Sequence, residues 1–536
     1  MPPGSSPGSS SRSLTLFDRA DQQDLRVPTS CGRSGRCHEC IVEVRAGLES
    51  LAPRTPAEAF LRDPFRLACQ AQVVDEAAAL RFTPLARRPQ ILMPEQGETP
   101  ELDPLVKREG DRVAYDGEVI DTYRGHVLGL AVDLGTTTLV IELVDLETGR
   151  VLGVSSCENP QRFGGSDVMN RISYDAGPFR GELHQAVIKA VNRQARQLCC
   201  QQGCTRREIY EMVVAGNATM RDLFFGLDVQ SIGQKPYKSL VEHEWRAGNR
   251  QSTSLLVEAR QLHLRLHPRA RIYGLPLIAS HVGGDTAAAL AAIDAWDRRE
   301  LVMLVDVGTN TEVVVGDGQH WVAASCPAGP AFEGGLIQYG MPGYEGAIER
   351  VRWIEGHFEC STIGGKAPEG ICGSGLIDLL AELRRHGRMT PKGVFADKAY
   401  ALSVAPDQGI TFSREDASHL AQAKAANYCG QYIVLRHFGA SPAQVQRLFL
   451  AGGFANYIDV ANAVAIGFLA PVPIERIFKV GNAAAQGARQ VLLSRRRRQA
   501  VEVLVQTIEH VELETTPDFF DLFVEGCQFK PMPNCF

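Results

Sequence analysis

Three cysteines, Cys31, Cys37 and Cys40, stand within ten residues in CGRSGRCHEC. A fourth, Cys69, follows in RLACQ, so the set reads C-x5-C-x2-C-x28-C. Thiolates so spaced suit a redox or structural metal centre. Gly32 and Gly35 let the loop wind tightly, which turns backbone N–H groups toward an anionic cluster. Two chemistries compete, an iron–sulfur cluster and tetrahedral zinc, since four thiolates satisfy either. Zinc sites usually pair two C-x2-C units and this segment has one, which favours iron and sulfide. Four buried thiols without a metal are a third reading, but such thiols seldom gather three to one Gly-rich loop.

A second constellation occurs twice. LGLAVDLGTTTLVIELVD reads as an apolar strand ending at Asp133, a turn carrying Gly135, Thr136 and Thr137, and a second β-branched strand. VMLVDVGTNTEVVVGDG repeats it 173 residues later, with Asp306, Gly308, Thr309 and Asn310 in the matching places. A glycine turn brings backbone N–H groups close to phosphate, threonine hydroxyls add donors at little bulk, and each aspartate can hold hydrated magnesium. Near the end of the chain LFLAGGFANYID runs a buried strand into Gly452 and Gly453, where missing side chains let a flat adenosine lie against backbone. The plain alternative is that both Asp-x-Gly-Thr turns are hairpins with favourable turn residues.

The elements that must position these groups need more than one core. A chain of 536 residues exceeds the size at which a single core stops growing, about 250 to 300 residues. Residues 1–12, rich in Pro, Gly and Ser, read as a disordered lead without the apolar stretch of a secretory signal. Residues 13–86 carry the four cysteines. Residues 87–125, with RRPQILMPEQGETPELDP, read as an exposed linker, and residues 126–536 hold the duplicated hairpins, in halves opening near 127 and 301. Fifty-six basic against 62 acidic residues give a net charge of −6, which argues against a nucleic-acid surface. No apolar run reaches the roughly 18 residues of a membrane span. The expectation is a cytoplasmic protein whose fourteen cysteines are reduced or ligate metal.

The cysteine segment resembles a plant- or adrenodoxin-type 2Fe-2S ferredoxin over about residues 13–84, with strands expected in CIVEVRAG and ACQAQVV. Thirty residues precede Cys31, too few for the full strand pair that opens that fold, so either the sheet is clipped or the true start lies upstream. The repeated hairpins with the late Gly-Gly loop resemble the sugar kinase, Hsp70 and actin (ASKHA) superfamily, whose two ribonuclease H-like halves clamp ATP. Six further segments narrow the resemblance: NPQRFGGSDVMNRIS, VVAGNATMRDLFFGLD, HVGGDTAAAL, CPAGPAFEGG, GICGSGLIDLLAELRRHG and NAAAQGA. In this order they resemble the reductive activators of corrinoid proteins, which fuse a ferredoxin domain to this ATPase. Such proteins can carry a middle domain after the linker, for which only about forty residues are available here.

The resemblance implies an α/β architecture, a β-rich ferredoxin-like domain followed by two ribonuclease H-like halves. It also implies the function: an electron passes from a 2Fe-2S cluster to the Co(II) corrinoid of a methyltransferase-system protein, restoring Co(I) at the expense of ATP. Asp133 and Asp306 would serve Mg2+ and catalysis. Gly135, Thr136, Thr137, Gly308, Thr309, Asn310, Gly452 and Gly453 would bind ATP, and Cys31, Cys37, Cys40 and Cys69 would hold the cluster. A low-potential donor is required, and a homodimer is left open. For one electron, about 59 mV is a tenfold change in equilibrium, so several kcal/mol from ATP offsets some hundreds of mV. Ferredoxin clusters of this type sit near roughly −400 mV, and a cobalt couple below that needs such help. A small-molecule kinase with a redox-sensing domain is the alternative; an activator of a radical dehydratase fits less well, since those lack a ferredoxin domain.

Other features read more plainly. Cys199, Cys200 and Cys204 lie on or beside a helix without partner histidines, and Cys326, Cys360, Cys372 and Cys429 are scattered thiols. The run Arg495 to Arg498 reads as the close of a helix whose C-terminal dipole favours cations. His38, between two cluster cysteines, is either exposed or a tuner of the cluster.

Overall fold

The computed structural model describes residues 14–23, 25–29, 31–36, 39–61, 63–75, 78–84, 102–453 and 455–534. Cys37, His38, the lead and the first part of the linker lie outside the described residues. The chain divides into two compact units, Met1–Ala86 and Arg87–Phe536.

In the first unit the helix Leu16–Gln22 starts at a reciprocal cap, where Thr15 Oγ1 accepts from Asp18 N–H and Asp18 accepts from Thr15 N–H. A three-stranded sheet places Ile41–Ala46 between Phe65–Leu67 and Arg81–Pro84, both antiparallel to it. Alternation turns Val42 and Val44 inward onto Leu16, Phe17, Ala20 and Leu67. The strand expected after Cys69 lies before it instead. Residues 68–70 are a turn, and Gln72 and Val73 make only isolated bridges to Thr15 and Leu51. Under this turn is a buried ion pair: Glu58, with no exposed surface, accepts from Arg66 at 2.8 and 3.0 Å and from the N–H of Thr55 and Leu67. Burial pushes the Glu58 carboxyl up, and Arg66 with the two backbone donors outweighs it, holding the group below the ordinary carboxylate range.

The second unit contains two six-stranded sheets that share a five-strand topology. In the first, Leu128–Leu134, Thr138–Asp145 and Val151–Glu158 form an antiparallel meander, Ile209–Gly216 lies parallel beside the first of them, and Arg271–Gly274 lies parallel beside that. In the second, Val302–Val307, Thr311–Gly316, Trp321–Cys326, Arg447–Ala451 and Ile477–Gly481 repeat this order and sense. Each sheet adds one strand, Leu255–Glu258 in the first and Ile508–His510 in the second. Strands covered on both faces are near-continuous in apolar residues. Along Leu128–Leu134 the single residue that is not buried is Asp133, and along Val302–Val307 it is Asp306.

After the fifth strand of each pattern comes an Ala-rich helix, Gly284–Ala292 in the first half and Ala483–Leu493 in the second. The two pack on each other in the core between the halves. At their crossing a Cβ on Gly487 would stand 1.7 Å from the carbonyl oxygen of Ala288, so only glycine fits.

Two expectations from sequence are corrected. Residues 102–124 are no exposed linker: Val106–Glu109, Arg112–Tyr115 and Glu118–Thr122 form an antiparallel sheet whose Val106, Val113, Tyr115 and Ile120 enter the core between the halves. The turn Asp116-Gly117, both at positive φ, is the two-residue hairpin signal that the neighbouring prolines obscured. The arginine run opens a helix rather than closing one, Arg495–Leu504, with Ser494 as its N-cap. Cations there oppose the dipole, and acids from elsewhere answer them: Asp116 for Arg495, Asp297 for Arg496, Asp294 for Arg497, and buried Glu211 for Arg498.

Candidate functional site

Each hairpin turn closes on itself, Gly135 N–H donating to Thr138 O at 2.9 Å and Gly308 N–H to Asn310 O at 3.1 Å. Side chains from the segments singled out in the sequence brace the first turn. Asn159 Nδ2 donates to Gly135 O at 2.7 Å, and Asn217 Nδ2 to Thr136 Oγ1 at 3.1 Å. Fully buried Arg171 donates to Thr136 O at 2.5 Å and to Gly165 O at 3.0 Å. The turns of the two halves meet, with Thr137 Oγ1 and Thr309 Oγ1 3.2 Å apart.

Beneath the turns, strand register sets Asp133 beside Ala215 and Asp306 beside Ala451. A glycine follows in both neighbours, and each meets the carbonyl of the residue after the aspartate. A Cβ on Gly216 would lie 2.9 Å from Leu134 O, and one on Gly452 2.1 Å from Val307 O. The close approach that singled out Gly452 is therefore taken up by its own sheet, while Gly453 has nothing within 4 Å of its Cβ position. AGN at 215–217 and AGG at 451–453 are thus a third repeated element, hidden because only Ala-Gly is shared.

Four carboxyls face one another here. Burial, partly offset by Asn482 and reinforced by Asp285 and Glu142, pushes Asp133 up to about 7. Burial with the charges of Asp285 and Asp133 does the same for Asp306, also to about 7. Burial brings Asp285 to about 6, and burial with Asp285 and Asp306 drives Glu312 well above its ordinary value. Asn482 Nδ2 donates to Asp133 Oδ2 at 2.8 Å. Carboxyls that raise one another in this way bind a divalent cation or keep protons. Sequence reasoning missed Asp285, Glu312 and Asn482, although HVGGDTAAAL and NAAAQGA already contained two of them.

In the first unit, Cys40 Sγ and Cys69 Sγ are 3.3 Å apart. Hydrogen bonding to Cys40 pulls Cys69 down to about 7 against the opposing effect of burial. The Gln70 amide and Gly35 N–H assist, and the charge of Cys31 opposes. An all-sulfur donor set beside a left-handed glycine turn that offers an N–H fits an anionic iron–sulfur cluster. Cys31 lies near enough to act on Cys69 by its charge, and Cys37 lies outside the described residues. Among the described residues, no three His, Cys, Asp or Glu side chains close onto a single point.

Two of the other cysteines pack in the interior. Cys199 is buried at the end of the helix Glu182–Gln202, and Cys326 packs against Gly430 of the helix Arg414–Phe438. No helix among the described residues is long and apolar enough to cross a membrane.

Comparison with known proteins agrees with both units. Residues 10–74 match the 2Fe-2S iron-sulfur cluster binding domain, residues 128–296 the RACo middle region, and residues 300–534 the C-terminal domain of RACo, the ASKHA domain. The family's middle region thus falls on the first of the two like sheets. The chain is 30% identical over 431 residues to the corrinoid activation enzyme RamQ of Eubacterium limosum, covering 75% of this chain and 70% of that protein. It is 24% identical over 436 residues to a Co(II) methylated amine-specific corrinoid protein reductase of Methanosarcina barkeri, covering 74% and 76%. The solved structure of a reductive activator for corrinoid, iron-sulfur protein superposes with a TM-score of 0.72 at 29% identity, covering 96% of this chain and 95% of that one. With a 2Fe-2S domain, a duplicated ATPase fold and this extent of likeness, the chain belongs to the family of ATP-dependent reductive activators of corrinoid proteins.

Proposed function

We propose that this protein uses ATP to drive single electrons onto the Co(II) corrinoid of a partner protein in a methyltransferase system, regenerating Co(I). The observation that carries the reading is the union, on one chain, of a 2Fe-2S unit with a duplicated ATPase fold, matched almost end to end by a reductive activator. The cluster supplies a one-electron carrier of low potential.

The chain's own residues divide the remaining work. Cys31, Cys37, Cys40 and Cys69 hold the cluster, and Gly35 N–H stabilises its negative charge. Thr136 and Thr137 on one side, with Thr309 and Asn310 on the other, would donate to the phosphates, Gly135 and Gly308 shaping the turns that present them, and Gly452 and Gly453 would flank the adenosine. Asp133 and Asp306 would hold hydrated Mg2+ beside the phosphates, where it would neutralise their charge. Asn482 orients Asp133 for that task. A nucleotide held by donors from both halves would favour one arrangement of the halves over another, and ATP would act on a docked partner through that preference. A low-potential donor in the cytoplasm reloads the cluster; a homodimer is compatible with this scheme and not required by it.

The test is an anaerobic assay with a Co(II) corrinoid protein and a low-potential donor. Co(I) absorption should appear with ATP and the intact chain, and fail with Asp306→Ala or Cys69→Ser. Cobalt reduction that proceeds equally without nucleotide, with ATP spent on phosphorylating a small metabolite, would replace this reading by a kinase.

A further inference from the structure

Thr137 and Thr309 come from the two matching hairpins, one position out of step with each other, and a single atom joins them. Oε2 of Glu333 accepts from both hydroxyls, at 2.9 Å each. Glu333 ends the short turn Ala331–Glu333. Behind it Gly334, at φ +89°, lies so close to the chain that a Cβ would stand 2.4 Å from Met341 N. The turn is backed by protein, and the side chain reaches forward to the meeting point of the halves. Burial pushes the Glu333 carboxyl up, and the hydroxyls of Thr309 and Thr137 with the charge of Arg162, which pairs with Glu158 at 2.8 Å, pull it back. An anionic oxygen held by paired hydroxyls from opposite halves is the arrangement that a phosphate oxygen would take up.

We infer that Glu333 is a built-in stand-in for the terminal phosphate of ATP, clasping the two hairpins in the nucleotide-free protein and leaving when that phosphate arrives. The inference rests on the assignment of Thr137 and Thr309 to the phosphates. Displacement follows from charge: a carboxylate and a phosphate cannot share two hydroxyl donors in a poorly solvated site. ADP lacks the competing group and leaves the clasp closed. Glu333 therefore sets the discrimination between ATP and ADP, weakening ATP binding in exchange for a response specific to the terminal phosphate. Release also reaches further along the chain. The loop after Glu333 leads to Tyr344, whose hydroxyl donates to Glu158 Oε1 of the first half at 3.3 Å, a second strap between the halves.

Calorimetric titration of the full chain with Mg2+ and either the β,γ-imido analogue of ATP or ADP tests this. Glu333→Gln, nearly isosteric but uncharged, should bind the ATP analogue about tenfold more tightly and ADP as the parent does. A merely structural role would move both ligands together. Glu333→Asp, too short to span both hydroxyls, should shift the preference in the same direction and serves if the Gln variant folds poorly. If analogue affinity in these variants is unchanged or lower while Thr137→Ala weakens it, the clasp is wrong and the phosphate site stands. If Thr137→Ala and Thr309→Ala both bind ATP as the parent does, the phosphate assignment fails and the inference with it.

Discussion

Asn482, at the start of a helix in the second half, donates to Asp133 in the first half across 2.8 Å. Asp285, at the start of the corresponding helix of the first half, acts in turn on Asp306 of the second. Asp285 acts on Asp133 of its own half as well, while Asn482 bonds Asp133 alone. This difference makes the two aspartates inequivalent although the hairpins that carry them are alike.

Replacing Asn482 by Ala removes a hydrogen bond to a charged group, a loss of about 1.5–3 kcal/mol. Mg-ATP binding should weaken by roughly tenfold to a hundredfold, read by titration calorimetry. Asn482 also caps its helix through Ala485 N–H, so a fall of about 1 kcal/mol in stability accompanies the change. Asn482→Asp, which adds a carboxyl to four that already repel, should be worse than Ala for nucleotide and milder for the cap.

Cys40→Ser and Cys69→Ser should each abolish the visible absorption and electron paramagnetic resonance signals of the cluster while ATP hydrolysis persists, because the thiols and the carboxyls sit in separate compact units. Iron and sulfide retained at two per chain in either variant would contradict the ligand assignment.

The Glu58–Arg66 pair sits beneath the turn that presents Cys69. Because the folded carboxyl is held below its unfolded value, it contributes stability above the unfolded pKa, about 4.3, which is lost as the pH falls through the folded value. Cluster loss on acidification should therefore begin at higher pH in Glu58→Gln than in the parent. Arg66→Ala, leaving a buried charge alone, should cost about 3–5 kcal/mol and release the cluster at neutral pH.

A chain begun at Leu102 should keep the thermal stability of the ATPase unit, and one begun at Gly125 should not. The second lacks Val106, Val113, Tyr115 and Ile120, which fill the core between the halves. At about 1.5–3 kcal/mol for each buried apolar side chain, their loss is comparable with the whole stability of an ordinary domain. Equal melting temperatures for the two chains would show that this sheet is dispensable.

Both Asp-x-Gly-Thr hairpins were legible in the sequence because their strands are β-branched, buried on both faces and interrupted at one acidic residue. The third repeated element was not, since sheet packing there demands only a small residue and a glycine, and the rest of each segment diverged. Composition misled at residues 102–124, where prolines just upstream masked two-residue turns that announce a sheet. The arginine run was misread because its partners, Asp116, Glu211, Asp294 and Asp297, are distant in sequence, and Ser494 was the sole local sign of a helix start. Glu333 stood in a segment already noted, but only the fold reveals that it spans two halves.

The contact of Gly487 with Ala288 has a mechanical meaning. Helices that interdigitate side chains are locked by ridges, and turning one against the other must unseat them. Here backbone meets backbone at the crossing, with little more than methyl groups on either side, so the joint resembles a smooth bearing between two levers. Any side chain at residue 487, even a methyl, would act as grit in that bearing.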